Sequence, residues 1–354
     1  MASTRVVGLD IGTTMVRAAQ LEFGSGRPAG KSQPTLAKYA QVPLPLGAVR
    51  DGDVADQPAV SQAIKQLWTV GKFDSKEVVI GVGNPRVVVR DLDLPWLPLP
   101  QLKASLPFQV QETLPMQPGE ALLDYYPTAE YEGEAGRMVA GILVAAPRDT
   151  VAASILAVEG AGLRTSMVDL NAFAILRALA RGELAQRTVA FVDIGAKVTN
   201  VVITARGIPR LVRILKGGGQ DVTEAVASAL SVAVPEAETL KRQIGIGFQV
   251  NPELAPAAES VAAVTRNLLE SVRNTFTFYG TNNPGAGVEL IVLTGGGSHL
   301  PGLGQYLASA SRLPATIGDP VSMLRIGKTV NRETFAGAES LTTLAVGLAF
   351  GVAQ

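Results

Sequence analysis

Two short segments of this 354-residue chain carry the residue types that phosphate and metal chemistry needs. The first is Asp10-Ile-Gly12-Thr13-Thr14, with Arg17 three residues on; the second is Asp193-Ile-Gly195, followed by Thr199. Each places a carboxylate at the end of a β-branched run and a glycine immediately after it. The glycine lets backbone amides approach a phosphate with no Cβ in the way. Thr13 and Thr14 add hydroxyls and amides, Arg17 can neutralise phosphate charge, and Thr199 is expected to supply the hydroxyl of the second cradle. Facing one another across a cleft, two such turns can clamp a polyphosphate, with Asp10 and Asp193 holding Mg2+ mostly through water. A single Asp-x-Gly-Thr is more often a plain hairpin turn; a second copy at domain-scale separation favours the cradle.

A third element is Leu290 to Thr294, a buried-strand pattern that empties into Gly295-Gly296-Gly297. Ligands of open α/β sheets sit at the carboxyl ends of strands, and three glycines there leave room for a base or phosphate. Gly217, Gly218 and Gly219 precede a helix start at about Val222, where amides meet the positive end of the helix dipole. Glu238 and Lys241 share a helix face, which by itself reads as a solvated ion pair. Asp169 ends a strand and begins a helix, as an N-cap or as a carboxylate near an attacking water. His299, the only histidine, reads as a polar loop residue.

The elements that must position these groups follow from pattern. Val6 to Leu21 and Val189 to Ile203 both read as strand, glycine turn, strand, because β-branched residues dominate and helical spacing is missing. The repeat implies two similarly built lobes. Val60, Ile64 and Leu67 give Gln57 to Val70 a helical period, and Lys76 to Gly83 and Val87 to Leu94 read as strands. A proline-rich segment of different composition runs from Pro95 to Arg164. It is expected to form helix, strand, strand, helix, with Pro107 breaking or kinking the first helix.

Composition excludes much else. Lys+Arg and Asp+Glu are 31 each, so no global basic field exists to collect nucleic acid or anionic lipid. With no cysteine and one histidine, disulfides, thiolate catalysis and multi-histidine metal sites are out. Apolar residues at 47% against 18% charged exclude a disordered chain, and 37 glycines alongside 5% aromatics need an explanation. Arg5 leads straight into a strand pattern with no signal-peptide core. The apolar-leaning Ser340 to Gln354 falls short of the roughly 20 residues a spanning helix needs. A cytoplasmic chain without direct membrane insertion is expected.

Taken in order, Asp10 to Arg17, Val168 to Leu179, Asp193 to Thr199, Thr294 to Pro301 and Thr343 to Gly351 resemble the five motifs of the actin-like ATPase superfamily. Within it the chain is similar to the type IV pilus assembly PilM family, on the FtsA-like branch. That likeness lies in Val-Val-Val-Arg90-Asp-Leu-Asp-Leu-Pro95, Leu122-Leu-Asp124-Tyr125, Pro147-Arg148 and Arg273 to Tyr279. The resemblance implies a two-lobed α/β actin-like fold of two RNase H-like domains. Residues 1–94, 165–185 and 335–354 would form the first lobe and 95–164 an inserted subdomain. Residues 186–334 would form the second lobe, with a helical subdomain at about 222–265. It implies ATP and Mg2+ in the cleft, Glu238 and Lys241 on ribose and adenine, and slow or absent hydrolysis. It also implies a groove for the N-terminal peptide of a PilN-like inner-membrane protein, assigned here to Leu94, Leu97, Leu99, Leu102, Leu106 and Val110. Pilus motor or platform proteins are further partners, and membrane residence would be borrowed through the partner. An FtsA-like membrane-associated polymer and an actin-fold small-molecule kinase are the alternatives.

Overall fold

In the computed structural model the described residues are 4–24, 33–134, 136–330, 333 and 336–351. The chain begins with β1 (Thr4–Ile11), β2 (Met15–Phe23) and β3 (Thr35–Pro43), then the short strands β4 (Val49–Arg50) and β5 (Asp53–Val54). Next come α1 (Gln57–Gly71), β6 (Glu77–Val82), β7 (Val88–Pro95) and α2 (Leu99–Gln109). They are followed by β8 (Ala121–Gly133), β9 (Gly136–Pro147), α3 (Arg148–Gly160), β10 (Arg164–Leu170) and α4 (Asn171–Leu179). The second half holds β11 (Thr188–Ile194), β12 (Val198–Ala205), β13 (Ile208–Lys216), α5 (Gly219–Leu230), α6 (Val234–Ile244) and α7 (Ala255–Asn282). It closes with β14 (Leu290–Thr294), α8 (Leu303–Ser311), β15 (Ala315–Ile317), β16 (Arg325–Ile326) and α9 (Thr343–Ala349).

The two glycine-turn segments fold the same way. β1 pairs antiparallel with β2 and β11 with β12, because unbroken β-branched runs bury on both faces. Around each hairpin the sheet is then built on one plan. The first sheet runs β10-β6-β1-β2-β3 with β16 added at its edge, and the second runs β15-β14-β11-β12-β13. In both, the hairpin extends by an antiparallel strand on one side and by parallel strands on the other. Carboxyl ends of the central strands therefore point at one cleft from two sides.

One hydrophobic core joins the sheets. Ile175 and Leu176 of α4, Val346 and Leu348 of α9, Leu21 of the first sheet and Phe191 and Val202 of the second all belong to it. A separate core covers the first sheet's outer face, where Val60, Ile64 and Leu67 of α1 meet Ala157 and Val158 of α3. This burial explains why α1 forms: an apolar stripe at i, i+4, i+7, begun by the Asp56 side chain accepting from Ala59 N–H at 3.0 Å.

The inserted unit differs from the sequence expectation in two respects. Its three-stranded sheet, β7-β9-β8, begins at Val88 rather than 95. The expected second helix of the unit, α3, packs on α1 and β10 instead and belongs with the first lobe's outer core. Pro107 does not break α2, which runs on to Gln109; at the ninth of eleven residues it removes one bond from a turn that is already ending. The expected groove residues are also corrected. Leu94, Leu102, Leu106 and Val110 are buried with Tyr125, Val139 and Leu143 as the unit's own core, with Leu97 packed against it. Leu99, at 44% exposure, is the one of the six that faces solvent. A leucine spacing that looks like a docking stripe is the stripe α2 uses to sit on its own sheet. Residues 1–3, 25–32, 335 and 352–354 of the expected first lobe lie outside the described residues.

Candidate functional site: a cleft between two carboxylate hairpins

In the first hairpin the register sets Asp10 opposite Arg17. Gly12 N–H donates to Met15 O at 3.0 Å, closing a turn that offers Thr13 and Thr14 to the cleft. Arg17 Nη1 lies 3.6 Å from Asp10 Oδ2, and its Nε donates to Gln41 Oε1 at 3.2 Å. Burial raises the Asp10 pKa, and Arg17 opposes that rise.

The second hairpin repeats the geometry with different chemistry. Asp193 stands opposite Asn200, and Gly195 N–H donates to Val198 O at 2.9 Å. Asn200 Nδ2 donates to Asp193 Oδ2 at 3.4 Å. Burial first, then the charge of Asp10, push the Asp193 carboxyl up to about 7, while Asn200 and Arg17 act the other way. The two strand-end carboxylates are thus close enough to feel each other across the cleft. A divalent cation between them would relieve both the burial and the repulsion.

Glycines from three directions complete the cavity, whose volume is about 800 Å3. Gly295 needs its left-handed φ of +79° to turn the chain out of β14. At Gly296 an added Cβ would meet only Leu341 Cδ2, at 3.8 Å, so this wall is open toward the cavity. Gly218 and Gly219 bring the start of α5 to the cavity, with Gly219 N–H donating to Gly195 O at 2.9 Å. Asp221 accepts from Gly218 N–H at 2.8 Å, which is why α5 starts at Gly219 and not at Val222.

Glu238 and Lys241 line the cavity and also tie its helices together. Lys241 Nζ donates to Glu238 Oε2 at 2.5 Å, Thr223 Oγ1 at 2.9 Å and Gly219 O at 3.1 Å. Burial lowers the Lys241 pKa despite the Glu238 charge. Burial pushes Glu238 the other way, but hydrogen bonds from Lys241 and Thr223 outweigh it and leave its pKa low. His299 Nε2 lies 2.7 Å from Ser340 Oγ, and burial, then Arg242, lower its pKa and favour the neutral ring.

The cleft therefore gathers Asp10, Gly12, Thr13, Thr14, Arg17, Asp193, Gly195, Gly218, Gly219, Glu238, Lys241, Gly295, Gly296 and Gly297 around one cavity. Two expected members are elsewhere. Thr199 is fully buried and donates to Gly217 O at 2.9 Å, so its hydroxyl pins the second hairpin to the α5 entry and faces no ligand. Strand alternation explains it: Thr199 points away from the face that carries Val198 and Asn200. Asp169 does not line the cavity. Its carboxylate accepts from Leu170 N–H and pairs with Arg177, while Leu170 holds the N-cap position of α4 with no side-chain cap, so Asp169 is neither the cap nor a cavity carboxylate. Asn200, Asn171, Gln220 and Thr265 are among the cavity residues not assigned to the site from the sequence. The pairing of position 200 with Asp193, mirrored by Arg17 with Asp10, is the signal that identifies the first.

Among the described residues no group of three or more His, Cys, Asp or Glu could hold a metal ion. Two carboxylates fit Mg2+, which keeps several waters and takes its remaining oxygens from phosphates.

Comparison with known proteins gives the lineage. Residues 8–352 match the model of the type IV pilus assembly protein PilM family. The chain is similar to a solved PilM-PilN type IV pilus biogenesis complex, at 27% identity and a TM-score of 0.85, covering 99% of this chain and 98% of that one. It is similar in fold to the ethanolamine utilization protein EutJ of Carboxydothermus hydrogenoformans (15% identity, TM-score 0.55, 99% and 90% covered). The same holds for MreB 5 of Spiroplasma citri bound to AMPPNP (14%, 0.54, 99% and 97%). The duplicated sheet plan and the inserted unit are accordingly those of an actin-like fold, and the chain belongs to the type IV pilus assembly PilM family.

Proposed function

We propose that this protein is a nucleotide-binding component of the type IV pilus assembly platform, taking ATP with Mg2+ in the cleft. The observation that carries the nucleotide reading is the facing pair of buried carboxylates, Asp10 and Asp193, beside a glycine wall left open at Gly296. In this reading Asp10 and Asp193 hold Mg2+ through water. Gly12, Thr13, Thr14, Arg17, Gly195, Gly218 and Gly219 surround the phosphates, and Gly295, Gly296, Gly297, Glu238 and Lys241 lie along the nucleoside. Bound Mg2+ supplies charge neutralisation; the chain's own groups orient the phosphates and shield them from water. Calorimetric titration with ATP, with and without Mg2+, tests it, and no binding in either condition sinks it.

The partner is a PilN-like inner-membrane protein, a reading supported by the relative solved as a PilM-PilN complex. Its peptide would meet the inserted unit, where β8 forms one edge of the sheet and Leu99, Phe108 and Tyr126 are exposed. Among the described residues no helix is long and apolar enough to cross a membrane, so attachment to the inner membrane would come through that partner. Co-purification with the partner's N-terminal peptide, and its loss in Leu99→Glu, tests this part.

A further inference from the structure

Asn200 is 3% exposed, lines the cleft, and has one amide atom accounted for and one not. Its Nδ2 donates to Asp193 Oδ2 at 3.4 Å, the direction that an ionised Asp193 requires. Its Oδ1 is buried and has no hydrogen-bond partner in the protein. An orphaned buried acceptor is costly, and it is normally matched by water or ligand. Asn200 shares a sheet face with its cross-strand partner Asp193 and with Val198 of its own strand, both of which also line the cavity. Elsewhere around the cleft Lys241 is held by Glu238 and His299 by Ser340, while Thr265 Oγ1 is a second buried cavity-lining atom with no protein partner.

We propose that Asn200 positions a water molecule at the phosphate end of the cleft, its Nδ2 holding Asp193 and its Oδ1 accepting a hydrogen bond from that water. The inference rests on the nucleotide reading of the cleft. An amide oxygen fixes the direction of a water's lone pair but takes no proton from it. The step it prepares is hydrolysis of the terminal phosphoanhydride. The water's lone pair forms the new bond to phosphorus. The bond to the bridging oxygen breaks, and its electron pair stays on the nucleoside diphosphate. One water proton remains on the released phosphate and the other passes to solvent. With no base at position 200, the device orients without deprotonating, which suits a nucleotide switch better than a fast turnover enzyme.

The test reads binding as well as activity. ADP with aluminium fluoride mimics phosphoryl transfer and includes an in-line water, whereas ADP with beryllium fluoride mimics the bound terminal phosphate and needs none. Asn200→Ala should weaken the aluminium fluoride complex about tenfold, the worth of one hydrogen bond to a charged assembly. The beryllium fluoride complex and ADP should stay within about threefold. Asn200→Ser, which restores a hydroxyl acceptor and is less disruptive to the hairpin, should recover part of the loss. Single-turnover hydrolysis should fall in the same order. If both fluoride complexes weaken together in both variants, Asn200 merely shapes the cradle and the proposal fails. If neither weakens, no water is held there and it fails equally. If the unaltered protein binds neither complex nor ADP, the nucleotide reading has failed first and this inference falls with it.

Discussion

The two hairpins share a register and a turn, yet differ at the residue opposite the carboxylate. Asp10 faces a guanidinium and Asp193 faces an amide. The first lobe thus carries its own counter-charge into the cleft, whereas the second brings a buried carboxylate that, among the described residues, has no salt-bridge partner. Arg17 opposes the rise in the Asp10 pKa, while Asp193 is pushed to about 7. The two sheets share one plan and differ at one cross-strand position; in the proposed reading, Arg17 makes the first hairpin the phosphate neutraliser and the second relies on a metal. Both halves should fail together only when the ligand itself is excluded.

That gives the largest expected effect. Gly296→Val fills space that meets only Leu341, so the fold should survive while nucleotide affinity falls on the order of 100-fold or more. Gly295→Val is the contrasting variant: its Cβ would lie 2.5 Å from Ile194 O at a φ of +79°, so thermal stability should drop as well. Calorimetry and thermal melts on the pair separate a ligand wall from a backbone necessity. Unchanged affinity in Gly296→Val would place the ligand elsewhere.

The next test divides the hairpins by pH. Asp193 has an ordinary value of 3.8 and a folded value of about 7, so folding favours its protonated form. Below 3.8 the carboxyl is protonated folded or unfolded and no penalty exists. As pH rises through 4 to 7 the unfolded chain ionises first, and stability falls; above 7 the loss is complete and flat. The loss is on the order of a few kcal/mol. Asp193→Asn removes it, so in Mg-free buffer the variant's melting temperature should overtake the unaltered protein's as pH goes from 5 to 8. Saturating Mg-ATP should erase that advantage by stabilising the unaltered protein alone. Asp10→Asn should gain less, because Arg17 already stabilises the ionised form. A flat difference across pH would mean that Asp193 is not buried beside Asp10.

Arg17→Gln then probes the other half. It removes the one guanidinium that lines the first cradle and should weaken ATP about tenfold, with a shallower salt dependence, while AMP binding changes little. Equal losses for AMP and ATP would move Arg17 away from the phosphates.

These contrasts also show what was legible in the sequence. The hairpins, β6 and α1 could be read because their residues fix their own period: β-branched runs twice, and Val60, Ile64 and Leu67 once. The insertion could not be bounded, because the spacing of α3 says which face is apolar and not which sheet it covers. α3 went to α1, and the leucines of α2 went inward, for the same reason. The glycines were half legible. Gly296 is open to the cleft, but at Gly8 a Cβ would lie 2.1 Å from Ala345 O, and at Gly347 1.9 Å from Ala174 O. Those glycines serve the close approach of α9 to β1 and α4 and have no part in binding, a distinction visible only once the helices are placed. Asn200 was legible in principle, since a period of two sets Val198 and Asn200 on one face and Thr199 on the other.

Thr199 supplies the smallest and most discriminating effect. Thr13 and Thr199 looked alike in the sequence, each a hydroxyl beside a glycine turn. In the fold Thr13 lines the cavity, whereas Thr199 donates into the backbone at Gly217 with no exposed surface. Thr199→Val keeps the volume and leaves Gly217 O without its donor. That should cost about 1 kcal/mol of stability and leave ATP affinity within about twofold. Thr13→Val should do the reverse, lowering affinity severalfold with no change in melting temperature. The reversal is the informative part, because a general loosening of either hairpin would move both measurements in the same direction. If Thr199→Val instead weakened ATP as much as Thr13→Val at unchanged stability, the second hairpin would present its hydroxyl to the ligand, and the asymmetry between the halves would reduce to Arg17 against Asn200.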